Sequence, residues 1–254
     1  LHAIESNHNA TLQAIEERRC GIITNLQTNW NSTLDAFTSD LQKQREEAKK
    51  LYACWSDTDW QNWTPPKEPI VRIPLGNFTA NLQIIGGEVP TDVRLQLPEP
   101  TTEKIPLCIT LPRDSSLVVS TSGKLRDQSI EIIQNSVIRV LTAVPPGKAK
   151  FTLIDPVGLG ETYAGILHLA DYEESQLLDR AWTEVRHIEQ QLTNITQHME
   201  TVIQKYLRNE FDSIDDYNEQ AGEIAEPYRF LVIADFPTNF TENSIRRLSS
   251  IITS

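Results

Sequence analysis

The first 55 residues contain no proline and a single glycine, Gly21, and their apolar side chains recur every eleven positions. Leu1, Leu12, Ile23 and Leu34 form one row. Ile4, Ile15, Leu26, Phe37 and Ala48 form a second, and Trp30, Leu41 and Tyr52 a third. An eleven-residue repeat, about 3.67 residues per turn, keeps one stripe on one side of a nearly straight helix. Two arrangements cover such a stripe. The helix packs within its own chain, as a helical hairpin or docked on the globular part, or it forms a coiled coil with another chain. Residues 1–55 are therefore the expected surface for self-association or a partner helix. "CWSDTDWQNWTPPKEP" (54–69) ends this pattern, and its tryptophans and prolines predict an anchoring knot or hinge rather than a ligand cage.

After Pro69 the pattern shortens to strands. "IVRIPLGNF", "NLQIIGG", "DVRLQL", "PLCITL" and "SSLVVS" are apolar runs punctuated by Gly and Pro. From Lys124 helix and strand alternate. A helix over about 127–144 precedes a strand at 149–156 ("AKFTLIDP"). A long amphipathic helix, about 174–210, carries Trp182, Val185, Ile188, Leu192, Ile195, Met199, Val202 and Tyr206 on one stripe. "YRFLVIADF" (228–236) is a continuous apolar run of strand length, and a last helix begins near Thr241. Continuous apolar strands are buried on both faces, as in a parallel sheet flanked by helices. The organisation expected is a helical segment (1–63), a linker and β-rich lead-in (64–116), and an α/β core (117–254).

Charge limits the partners. Residues 151–254 carry seven basic against eighteen acidic side chains, which places nearly all of the net −12 there. Phosphate-backbone binding needs clustered Lys and Arg, so direct DNA contact by this segment is not expected. Cys20, Cys54 and Cys108 are odd in number and lack CxxC spacing, which predicts reduced, mostly buried thiols and no zinc site. His168, His187 and His198 show no metal spacing, and the face of His187 and His198 reads as solvated. Six Asn-x-Ser/Thr triplets read as incidental in a chain this rich in Asn and Thr. The sequence opens on Leu1 without a leader or a membrane-length apolar run, and is expected to be a cytoplasmic piece of a longer polypeptide.

Chemistry-bearing motifs are weak. A phosphate-binding loop needs G-x-x-x-x-G-K-[ST], whose backbone N–H groups, Lys and hydroxyl hold phosphates and magnesium. With Gly123-Lys124 as its Gly-Lys pair, Val118 stands at the first Gly and Leu125 at the hydroxyl. With Gly123 as the first Gly, Gln128, Ser129 and Ile130 stand where Gly, Lys and Ser/Thr belong. Neither register is functional. Gly147-Lys148 lies between helix and strand in the inverted order and reads as a turn. "IDPVGLGETYA" lacks dinucleotide spacing, yet Asp155 ends a buried strand, the edge where α/β sheets place ligands. A capping or turn role is the main expectation for it. "FLVIADF" ends on Asp235, one carboxylate where magnesium-assisted hydrolysis uses an acidic pair.

Taken in order, "IVRIPLGNF", "SSLVVSTSG", "PPGKAKFTLIDP" and "HMETVIQKYLRNEFDSIDDYNEQAGEIAEPYRFLVIADF" resemble the FtsK/SpoIIIE family of DNA-translocating motors. Met199-Glu200, Tyr217-Asn218, Pro227-Tyr228 and Phe236 fall where the family pattern has them, over about residues 70–254. The resemblance is closest to divergent bacterial FtsK-like proteins. It implies a RecA-like, three-layer domain with a mostly parallel sheet, and Gly123, Lys124, Ser129, Asp155 and Asp235 as remnants of a nucleotide site. Both nucleotide motifs have lost the residues that do chemistry. The function expected is a non-catalytic module of a larger motor, with no catalytic or metal residues and no cofactor of its own. ATP and magnesium enter only if the family activity is retained, which leaves an ATP-driven translocase as one alternative and a coiled-coil adaptor as the other.

Overall fold

The computed structural model describes residues 2–51, 55–56, 58–87, 90–97, 99–112, 114–172, 177–207 and 211–253. Leu1, Tyr52 and Cys54 of the expected stripe and thiol set lie outside them. Two compact units are present, residues 1–58 with 76–107, and residues 59–75 with 108–254.

The first unit is dominated by helix α1, His2–Leu51, unbroken as its period and lack of proline require. From Trp30 onward much of its stripe is covered by the unit's own chain, although Phe37 stays 40% exposed. Leu41 is buried, Trp30 Nε1 donates to Gln96 O at 3.4 Å, and Arg45 donates to Lys104 O and pairs with Glu103. Strands β1 (Arg72–Asn81) and β2 (Thr102–Thr110) pair in a two-stranded sheet. Two predicted strands are absent. "NLQIIGG" begins with the short helix α2 (Leu82–Ile85), because the Asn81 side chain accepts from Gln83 N and Ile84 N and turns the backbone. "DVRLQL" forms a 3-10 turn at Val93–Leu95 capped by Asp92.

In the second unit α3 (Arg126–Ala143) leads into β3 (Ala149–Ile154), then the short α4 (Ala164–Leu167), β4 (Leu178–Trp182) and α5 (Val185–Val202). After a π-helical turn at Ile203–Leu207 come α6 (Ile214–Ala221), β5 (Tyr228–Ile233) and α7 (Glu242–Thr253). The strands form a three-stranded parallel sheet in the order β4-β3-β5. Residues 178–182, read from sequence as the start of the long helix, are strand β4, and the helix begins at Val185. "SSLVVS" is irregular, with Val118 88% exposed, since no neighbouring strand pairs with it among the described residues. Strand β5 is only half-buried as an outer strand, while central β3 is largely buried.

One face of the sheet holds the apolar cluster. Ile154, Ile188 and Leu192 are fully buried, with Trp182, Leu231, Ile233, Phe240 and Ile251 packed against them. The α5 stripe thus meets α7, and Arg247 Nη1 donates to Thr196 Oγ1 between them. Alternation along the strands turns Phe151 and Phe230 to the opposite face, where their rings stack at 5.1 Å. Cys20 is exposed and Cys108 partly so, both free, which corrects the expectation of mostly buried thiols for Cys20. Among the described residues no helix is long and apolar enough to cross a membrane.

Candidate functional site

Parallel sheets present ligands at their carboxyl edge, where strand ends and helix starts meet. Four segments converge there, following β3, β4 and β5 and preceding α3. Asp155, the residue after β3, is fully buried. Its N–H donates to Trp182 O at 2.9 Å, extending the ladder to β4. Its carboxylate accepts three backbone hydrogen bonds from the following loop. Oδ1 takes Gly158 N at 2.9 Å, and Oδ2 takes Gly160 N at 2.8 Å and Thr162 N at 3.2 Å. A buried carboxylate survives only when its lone pairs are met, and here the loop's own amides meet them.

That closure dictates the glycines. A Cβ on Gly158 would stand 2.6 Å and 2.9 Å from the Asp155 oxygens and 2.8 Å from Thr162 Oγ1. Gly160 lies at φ 95°, in the left-handed region. Leu159 between them also has positive φ (52°) and is 81% exposed. Gln134 of α3 donates to Thr162 O at 2.6 Å, whereas the buried Thr162 Oγ1 has no hydrogen-bond partner among the described residues. Tyr163 is fully buried with its hydroxyl donating to Ile154 O at 3.4 Å. Burial, and secondarily the Asp155 charge, push the phenol above its ordinary pKa.

Asp235, two residues beyond β5, has φ 51°. Its carboxylate is engaged bidentately by Arg126, the first residue of α3, at 2.9 Å from Nε and 2.6 Å from Nη2. The Asp235 hydrogen bonds hold the guanidinium above its usual pKa, against partial desolvation. Asn239, at φ 61°, closes the edge by donating to Thr183 O at 3.1 Å and Pro156 O at 3.5 Å. It thereby ties the segments after β3, β4 and β5 together.

The five residues singled out from sequence part company. Asp155 takes the expected capping role. Asp235 also lies at this edge, but neutralised by an arginine. Ser129 is inside α3, and its hydroxyl is back-bonded to Arg126 O at 2.7 Å and Leu125 O at 3.4 Å, a helix-internal arrangement. Gly123 and Lys124 are exposed in a 3-10 turn before α3. Residues 115–122, directly before them, form no strand, so their N–H groups lack the strand–loop–helix frame that makes backbone amides converge on phosphate. Gly147-Lys148 is the expected turn, with Lys148 Nζ donating to Gly222 O at 3.0 Å. Of the Tyr-Asn pair, Asn218 exchanges hydrogen bonds with the backbone of Glu226 at 2.9 and 3.1 Å, locking the approach to β5. His198 is not on a solvated face as expected. It is half-buried, 3.4 Å from Glu226, and desolvation, followed by Arg229, holds its pKa below the ordinary value against the opposing pull of Glu226.

Arg126 and Asn239 were not legible as site residues. Each acts across more than 50 residues of sequence, and the one hint was a basic side chain beside a Gly-Lys pair. Among the described residues no cluster of three His, Cys, Asp or Glu side chains could hold a metal. No family model, curated protein or solved structure matches the chain.

Proposed function

We propose that this chain is a non-catalytic, FtsK/SpoIIIE-like module, a RecA-like α/β unit that serves a larger cytoplasmic motor in a structural or regulatory role. The observation that carries the reading is the Arg126–Asp235 pair. A hydrolytic site would direct such a carboxylate at magnesium or a water. Here a guanidinium occupies both its oxygens, and the other carboxylate of the edge, Asp155, is enclosed by three N–H donors. The hydrogens on those donors point at the lone pairs that a cation would need. The edge is where α/β sheets place ligands, and its bonding here is that of a structural joint.

Isothermal titration of the full chain with Mg-ATP tests this. The expected result is no binding, unchanged by Arg126→Ala, which releases Asp235 without supplying a phosphate loop. ATP affinity that disappears on Lys124→Ala overturns the proposal in favour of an ATP-driven translocase with an unusual site. A second reading, an adaptor acting through its helix, is favoured by the exposed apolar residues of α1.

A further inference from the structure

The apolar stripe of α1 changes composition along its length. From Trp30 to Ala48 all three rows are apolar, and the chain itself covers much of that half, with Phe37 still 40% exposed. From Ile4 to Leu26 the middle row is His8 and Arg19, and the apolar rows on either side of it stand in solvent apart from the half-buried Ile23. Ile4 is 74%, Leu12 48%, Ile15 58% and Leu26 52% exposed, with Ile22 alongside at 53%. We propose that this open half pairs with the same half of a second copy of the chain, as a parallel, two-stranded coiled coil over residues 4–26.

Three observations select that occupant. The repeat is eleven residues, and a helix with a seven-residue repeat would drift around it. A second copy has the identical period, so its rows stay opposed along the whole seam. Five large apolar side chains from each copy, with their neighbours, bring the contact to about the 1,000 Å² that a specific interface needs. Charge then sets direction. Glu16 flanks the seam on one side and Arg18 on the other, both exposed. Parallel packing brings Glu16 of each copy to Arg18 of the other, whereas antiparallel packing turns the two Glu16 sides toward each other. His8 and Arg19 weaken the seam and pin its register, as polar seam residues do.

Sedimentation equilibrium and light scattering on the full chain give the test. The expected result is a concentration-dependent dimer. Leu12→Glu with Ile15→Glu raises its dissociation constant about 100-fold or more, while near-UV circular dichroism and the thermal unfolding of the sheet stay unchanged. Orientation is read separately, with Cys20, Cys54 and Cys108 replaced by Ser. Leu26→Cys then forms a disulfide-linked dimer on mild oxidation, because parallel packing sets the two Leu26 positions opposite each other and antiparallel packing sets them at opposite ends. A monomer at every concentration overturns the proposal. So does a dimer that survives the double Glu substitution, or a monomer whose stripe instead binds anionic phospholipid vesicles. A dimer that Leu26→Cys does not cross-link overturns the parallel arrangement.

Discussion

The carboxyl edge of the sheet and the amino-terminal half of α1 answer the same physical demand in opposite ways. At the edge, polar groups are met by partners of the same edge, the Thr162 hydroxyl excepted: Asp155 by its own loop, Asp235 by Arg126, and Pro156 O and Thr183 O by Asn239. In the helix, apolar side chains that should be buried face water from Ile4 to Leu26. An edge whose polar groups are nearly all paired inward leaves few donors and acceptors open, and a stripe that the chain does not cover leaves apolar surface open.

The sharpest way to break this contrast is Asp155→Ala. It leaves three backbone N–H groups without their charged acceptor and is expected to cost about 4 kcal/mol in denaturant unfolding. A loss near that of an exposed substitution would mean the edge is not closed on itself. Gly158→Ala comes next. Its methyl would press on the Asp155 carboxylate and the Thr162 hydroxyl, and a loss of about 3 kcal/mol is expected; an unchanged unfolding midpoint would refute the close approach. Gly21→Ala works in the other region and with the opposite sign. Nothing lies within 4 Å of the added methyl, so the helix gains about 0.8 kcal/mol, seen as greater helicity on heating. Failure to gain would place Gly21 in a contact.

The smallest expected effect concerns pH. His198 has a folded-state pKa below its ordinary value because burial, Arg229 and, least, Lys150 disfavour its charge while Glu226 favours it. The unfolded chain therefore takes up the proton first as pH falls below about 6.5, and stability declines from there through the folded pKa. The loss is less than about 1 kcal/mol for a side chain still partly solvated, and His198→Gln should flatten that part of the stability profile.

Regular elements were legible where one signal dominated. The eleven-residue period gave α1, and the apolar runs around Phe151 and Phe230 marked β3 and β5. Helices α3 and α7 were read to within a residue or two. Strand β4 was hidden because Trp182 continues the stripe of α5 by spacing, while its backbone is claimed by β3. "SSLVVS" has strand-forming side chains, but a strand forms only when a neighbour pairs with it. At the edge, the capping role of Asp155 could be read from an acid followed by Gly158 and Gly160. The pairing of Arg126 with Asp235 could not, since it joins residues 109 apart in sequence and depends on where β5 ends.

The loop closed by Gly158 bears on how this edge could change over generations or in the laboratory. On the proposed reading, installing a nucleotide site would require freeing Asp235 from Arg126, replacing the role of Asp155 and building a strand ahead of Gly123. Each step taken singly loosens the fold before it confers any binding. Only coordinated replacement of the whole edge avoids such a valley, so drift is expected to leave Gly158 and Asp155 in place.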